Sequence, residues 1–111
     1  MKSTTTPHGR TLAEGAPIRV CELLATLAAP AYIERVSLSS PANIRRARAA
    51  LRKAFITQIQ RRGFSLVECL SSCPTYWRLE PADSLKFIDE HMAKTFPLGV
   101  FRDWEKESGA K

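Results

Sequence analysis

The most restrictive feature of this chain is one long helical stretch set between two short β-prone runs. Residues 41–62 contain no glycine, and their one proline stands at the first position. Ser39-Ser40-Pro41 is a helix start, with a hydroxyl to cap the free N–H groups and a proline whose missing N–H costs nothing there. Ile44, Ala47, Leu51, Ala54, Phe55 and Ile59 recur at helical spacing and are expected to share one apolar arc. Arg45, Arg46, Arg52 and Lys53 fall off it, and Gly63 ends the helix. Before the helix, residues 31–38 read as a strand through Tyr32, Ile33 and Val36. Glu34 and Arg35 sit in its middle on opposite faces, so this strand is expected to be partly exposed or near a sheet edge. After the helix, residues 64–70 (Phe-Ser-Leu-Val-Glu-Cys-Leu) are almost continuously apolar, the pattern of a strand covered on both faces. The three elements make a βαβ unit, which calls for a right-handed crossover and parallel strands.

Two strands do not make an independent parallel sheet. The fold class expected is therefore α/β, as the βαβ edge portion of a larger domain whose other strands lie in polypeptide outside this chain. The flanks fit around that unit. Residues 1–16, punctuated by Pro7, Gly9 and Gly15, read as an extended lead-in. Pro17 suits the first position of a helix over residues 17–28, in which Ile18, Val20, Cys21, Leu23, Leu24 and Leu27 are apolar around much of the circumference. The helix stops at Ala29-Pro30. Residues 71–80 form a loop, and Pro81 opens a last helix over residues 81–95 with Leu85, Ile88 and Met92 on one side. Residues 17–96 thus read as a partial α/β domain. Residues 97–111 read as a tail whose Val100, Phe101 and Trp104 dock on something.

The formal charge of +6 is not spread over the chain. Residues 41–62 hold seven basic side chains (Arg45, Arg46, Arg48, Arg52, Lys53, Arg61, Arg62) and no acid; the remaining ten basic residues face 11 acidic ones, a net of −1. The basicity therefore belongs to one helix. It reads either as a solvated or partner-facing outer surface, or as the contact face of a small basic α/β module that binds nucleic acid or an acidic protein through residues 45–62. No apolar run is long enough to cross a bilayer. The first ten residues carry no apolar export signal, and the three cysteines are an odd number, so reduced thiols and a cytoplasmic setting are expected.

In an open parallel sheet, ligands sit outside the carboxyl ends of the strands. Residues 37–43 and 71–78 must lie at that edge. Cys73, just past the second strand and followed by Pro74, is placed to ligate a metal or act as a nucleophile, or is an unreactive loop thiol. Cys69 reads as a core residue of the strand and Cys21 as helix packing. His8 and His91 lack partners at useful spacing. Ser39, Ser40 and Asn43 at the helix start, with Arg45 close by, either hold an anion or simply cap the helix. No Ser/His/Asp set, glycine-rich phosphate loop or pair of carboxylates at a plausible site is visible, so the chain has too few parts for catalysis by itself.

Six collinear segments resemble the carboxyl-terminal part of the β subunit of 2-oxoacid:ferredoxin oxidoreductases. They are Thr4-Thr5-Thr6-Pro7-His8-Gly9-Arg10, Pro17-Ile18-Arg19-Val20-Cys21-Glu22-Leu23-Leu24-Ala25, Ala31-Tyr32-Ile33-Glu34-Arg35-Val36, Gly63-Phe64-Ser65-Leu66-Val67-Glu68, Ser71-Ser72-Cys73-Pro74-Thr75 and Phe96-Pro97-Leu98-Gly99-Val100-Phe101. The 2-oxoglutarate branch is the most similar. The resemblance implies a thiamine-diphosphate-binding fold, of which this would be the last part. It implies oxidative decarboxylation of a 2-oxoacid, with coenzyme A taking the acyl group and electrons leaving through a [4Fe–4S] cluster to ferredoxin. Thiamine diphosphate, magnesium and the cluster are the implied cofactors, and the α subunit and ferredoxin the implied partners. In the family, a cysteine in a Ser-Pro-Cys-Pro-Thr-like loop is one cluster ligand, and Cys73 matches it. The other cluster cysteines and the Gly-Asp-Gly element that holds magnesium and diphosphate lie upstream in the family and have no counterpart here. Met1 matches an internal position, so the chain is expected to be a fragment. Ser72 stands where proline is common, Tyr76-Trp77-Arg78 replaces a pattern closer to Asn-Trp-Gly, and His8 stands where an aromatic is usual.

Overall fold

The computed structural model describes residues 11–72 and 80–109. Its elements run α1 (Val20–Ala25), β1 (Pro30–Ser37), α2 (Pro41–Ile59), β2 (Phe64–Leu70), α3 (Pro81–Phe87), a π-helical turn (Ile88–Met92), α4 (Ala93–Thr95), β3 (Gly99–Asp103) and α5 (Trp104–Gly109). The strands form one mixed sheet in the order β2-β1-β3. β1 and β2 are parallel, in register from Ile33 opposite Leu66 to Ser37 opposite Leu70. This is the expected βαβ unit, and the fold is α/β.

Local chemistry accounts for the boundaries of α2. Ser40, in extended conformation, accepts a hydrogen bond from the Asn43 N–H through its hydroxyl, and Pro41 follows it. At the far end Gln60 N–H donates to Ile56 O and Arg62 N–H donates to Thr57 O, with Arg61 between them at φ 53°. That six-to-one closure is a Schellman turn, in which a non-glycine residue holds the left-handed position. The helix therefore ends at Ile59, and Gly63 serves a different purpose: at φ 140°, a Cβ there would stand 3.1 Å from Ala29 O and 3.3 Å from Ala31 Cβ. Gly63 lets β2 begin tight against the start of β1.

The two strands have exchanged the environments expected of them. β1 is the interior strand: Ala31, Tyr32, Ile33, Arg35, Val36 and Ser37 are all buried. β2 is an edge strand among the described residues, with Phe64 and Cys69 exposed and its middle half-buried. The cause is β3. Residues 99–103, expected to be part of a tail, pair antiparallel with the other side of β1, Tyr32 opposite Asp103 and Arg35 opposite Gly99. An irregularity between Ile33 and Glu34 leaves Phe101 without a partner in the register, and this bulge turns Phe101 onto the same face as Arg35.

One face of the sheet carries α2. Val36 packs with Ala47 and Ala50, flanked by Leu38 and Val67. The expected apolar arc of α2 is split by this packing: the small side chains Ala47, Ala50 and Thr57 are buried against the sheet, whereas Ile44, Leu51, Phe55 and Ile59 are exposed. Small residues allow close approach of helix to strand, and the larger ones fall on an adjacent stripe. The other face carries α1, which is shorter than expected, begins after Arg19 rather than at Pro17, and buries Cys21 while leaving Val20 and Leu23 exposed. α3 starts at Pro81 as expected, and the helical run ends at Thr95 before Pro97.

Candidate functional site

The carboxyl edge of β1 and β2 is built from three short segments. Leu38 N–H donates to Leu70 O at 3.0 Å, so the strands leave the sheet together. Beyond them a chain of hydroxyls ties the start of α2 to the π-helical turn. Ser37 Oγ donates to Ser39 Oγ (2.9 Å), Asn43 Nδ2 donates to Ser39 Oγ (2.9 Å), and Ser39 Oγ donates to the Asp89 carboxylate (2.7 Å). Ser37 and Ser39 are buried. The wide π-turn over Ile88–Met92 fits this seam: Ile88 is fully buried while Asp89 reaches the serine. Of the two readings of the helix start, the cap is the one the geometry fills, since the Ser40 and Asn43 groups bond to one another and a carboxylate shares the seam. Arg45 does not line the cavity beside it. That cavity, about 180 Å³, is walled by Glu34, Arg35, Ser37, Asn43, Arg46, Leu98 and Gly99.

β2 ends at Leu70 and passes through Ser71 and Ser72 at this same edge. Cys73 follows, outside the described residues, as does His8. His91 lies on the π-turn, its ring 4.7 Å from that of Phe87. Among the described residues no group of three or more His, Cys, Asp or Glu side chains could hold a metal ion.

Behind the edge lies a charged cluster that sequence reasoning missed. Arg35 is fully buried on β1. Its guanidinium donates to both oxygens of Glu22 on α1 (2.6 and 2.9 Å), to Glu68 on β2 (2.8 Å) and to Pro97 O (3.1 Å). It lies 5.4 Å from the Phe96 ring and 5.2 Å from the Phe101 ring. One side chain thus ties α1, two strands and the segment before β3. Burial opposes its charge, but the hydrogen bonds to Glu22 and Glu68 more than offset this and hold its pKa above the ordinary arginine value. The same bond from Arg35 holds the Glu22 carboxyl below the usual range. Cys21 donates to Glu68 at 3.0 Å, and burial together with that carboxylate pushes its thiol up to about 12. Cys21 is therefore a protonated packing thiol, as expected. Cys69 is not the core residue it was expected to be; it is exposed on the edge strand.

A second cluster pins β3 and α5 under α2. Lys53 Nζ contacts Asp103 (2.8 Å) and Glu105 (3.2 Å), Trp104 Nε1 donates to Thr57 Oγ1 (2.9 Å), and Arg62 lies 4.2 Å from the Trp104 ring. Two of the seven basic residues of residues 41–62 are thus committed to folding. This weakens the reading of that segment as a continuous phosphate-binding surface. No helix among the described residues is long and apolar enough to cross a membrane.

No protein-family model matches the chain, and no solved structure is significantly similar to it. Curated proteins do match. Over 107 residues the chain is 44% identical to the ketoisovalerate oxidoreductase subunit VorA of Methanothermobacter thermautotrophicus, covering 96% of this chain and 22% of that protein. The corresponding protein of Methanothermobacter marburgensis is 41% identical with the same coverage. The 2-oxoglutarate synthase subunit KorB of Archaeoglobus fulgidus is 32% identical over 93 residues, covering 84% of this chain and 31% of that protein. The chain spans about a fifth of the length of the VorA relatives. The identities rank the ketoisovalerate subunits above the 2-oxoglutarate ones, opposite to the branch expected from short motifs. Across nearly its whole length the chain is homologous to a segment of these subunits, and by that segment it belongs to the 2-oxoacid:ferredoxin oxidoreductase family.

Proposed function

We propose that this chain is the carboxyl-terminal piece of a 2-oxoacid:ferredoxin oxidoreductase subunit, and that Cys73 supplies one thiolate to the [4Fe–4S] cluster through which such an enzyme passes electrons to ferredoxin. The observation that carries the proposal is the 107-residue match to VorA at 44% identity. The sheet supports it: β2 leads into Ser71 and Ser72, which precede Cys73 in the sequence, at the carboxyl edge, where an open α/β sheet binds its ligands. A cluster takes four cysteine thiolates. With Cys21 buried and bonded to Glu68, this chain provides at most two of them, Cys69 and Cys73, and the rest belong to other polypeptide. Thiamine diphosphate would supply the decarboxylation chemistry of the intact enzyme. The residues of this chain do not fit its site, since the sequence has no Gly-Asp-Gly element and the described residues bring together no group of three or more His, Cys, Asp or Glu side chains. What the described residues add is the seam from Ser37 to Asp89, which ties the start of α2 to the π-helical turn at the same edge. The identities favour a branched 2-oxoacid such as ketoisovalerate as substrate, with 2-oxoglutarate the alternative, and coenzyme A and the α subunit are the remaining partners.

The test is a graft. The matched segment of Methanothermobacter thermautotrophicus VorA is exchanged for this chain and produced with the other subunits of that enzyme, with and without Cys73→Ser. Expected is a graft that binds iron and reduces a viologen dye with ketoisovalerate, and a C73S form with lowered iron content and dye reduction. Iron and activity unchanged by C73S would reject the cysteine's role.

A further inference from the structure

α2 carries a row of positive charge that its own fold leaves unanswered. Arg45, Arg48 and Arg52 recur at spacings of three and four, so they lie along one line of the helix, and all three are exposed. Like charges at those spacings repel one another and weaken a helix. Arg46, also exposed, stands about 100° round from Arg45. There it walls the cavity that it shares with Glu34 and Gly99. The start of a helix favours acidic side chains, yet α2 has none in its first turn, and residues 41–62 contain no acid at all. None of these four arginines takes part in an ion pair among the described residues. Of the carboxylates at this end, Glu34 accepts from the Tyr32 hydroxyl and Asp89 from the Ser39 hydroxyl. Lys53, by contrast, is held by Asp103 and Glu105, and Arg62 lies on the Trp104 ring. Folding of this chain gains nothing from the arginine row.

We propose that this row is the docking surface for a small acidic electron-carrier protein, which takes electrons from the cluster to which Cys73 contributes. This rests on the function proposed above and adds the place on this chain where the acceptor sits. Position is the first support. α2 begins at the carboxyl edge of the sheet, the edge at which β2 leads into Ser71 and Ser72, and Cys73 is the next residue in the sequence. Arg45, Arg46 and Arg48 fall within about 11 Å of the helix start, at 1.5 Å of rise per residue. A carrier held there stands beside its donor. Charge is the second support. An unpaired basic row speeds the encounter with an acidic surface and repels a second copy of itself. Nucleic acid fits less well, because binding it takes about 6–10 phosphate contacts and four arginines do not supply them.

The experiment uses the VorA graft with an acidic ferredoxin as the probe, and introduces Arg45→Glu and Arg48→Glu together. At about 50 mM salt the KM for ferredoxin should rise about tenfold or more, and binding of the graft to immobilised ferredoxin should weaken by the same factor. Viologen dye needs no docking surface and should be reduced at an unchanged rate. At about 0.5 M salt the difference in ferredoxin binding should shrink below about twofold, because exposed charges are then screened. The melting temperature of the isolated chain should not fall, since acids early in a helix are favourable. Arg45→Gln with Arg48→Gln should shift ferredoxin binding the same way by a smaller factor, and serves where the charge reversal prevents folding. Ferredoxin binding and KM indifferent to both pairs, with dye reduction intact, would overturn this surface and leave the family reading standing. An unsubstituted graft that neither binds iron nor reduces the dye would overturn both. A DNA duplex bound more tightly than ferredoxin, and released by the charge reversal, would overturn the proposal in favour of nucleic acid.

Discussion

Replacing Arg35 by methionine removes a side chain that joins α1, β1, β2 and the Pro97 carbonyl. Arg35 is 1% exposed, and the substitution keeps most of its volume while deleting every hydrogen bond it makes. Stranding one partner of a buried ion pair costs about 3–5 kcal/mol. The Glu22 and Glu68 side chains keep 32% and 28% of their exposure, so water reaches both once the guanidinium is gone. That favours the lower end, about 3 kcal/mol, with loss of the contacts to Phe96 and Phe101 included. For a domain of this size it is a large part of total stability. At a urea slope of about 1.5 kcal/mol/M the midpoint should drop by about 2 M, read by far-ultraviolet circular dichroism. The control is the same substitution in an E22Q E68Q background. There the carboxylates carry no charge to strand, and the cost of R35M should shrink to about 1 kcal/mol. An equal cost in both backgrounds would show that Arg35 acts through packing alone and would refute the electrostatic reasoning.

Further outcomes follow from local geometry and titration. Arg61→Gly should raise stability by about 0.5–1 kcal/mol in the same urea assay, because glycine suits the left-handed position at the end of α2. Gly63→Ala should lower it by more than about 1 kcal/mol, because its Cβ would crowd Ala29 O. On pH, the Glu22 carboxyl is depressed in the folded state, so its contribution is present above the unfolded value and disappears as pH falls through the folded one; stability should drop on acidification below about pH 4, and E22Q should flatten that limb. The Cys21 thiol is raised, to about 12, so its contribution is present below the unfolded value and is lost as pH rises through the folded one. Stability should fall above about pH 9, less so in C21A, and alkylation in the native state should label exposed Cys69 before Cys21 as read by mass spectrometry.

Features set by neighbours in the chain were legible from the residues alone. Ser40-Pro41 opens α2, Pro81 opens α3, and Pro97 follows the end of α4, because capping and proline sterics act within a few residues. Features set by distant partners were not. Arg35 reads as an exposed charge in its own strand; its burial depends on Glu22 and Glu68, which lie 13 and 33 residues away. Gly-Val-Phe-Arg-Asp is too short and mixed to show alternation, and it becomes β3 only because β1 offers an open edge and Arg102 reaches the Ala25 and Leu27 carbonyls at the end of α1. The apolar arc of α2 was drawn too wide, because helical spacing does not distinguish the alanines that meet the sheet from the larger side chains beside them. The candidate site was legible at its edge: the cap and the end of β2 lie where strand order places them. The Asp89 contact to Ser39 had no signal in sequence, as it depends on a π-turn.

The most direct measurement is amide hydrogen exchange along β2, by peptide mass spectrometry, in this chain alone and in the VorA graft. In the isolated chain the β2 amides that do not face β1 have no partner strand among the described residues and should exchange much faster than those of β1. In the graft roughly half the amides of Phe64–Leu70 should become protected at least about tenfold, while β1 changes little. Equal protection of β2 in both settings would mean that the strand is a finished edge, and that this chain is not the margin of a wider sheet.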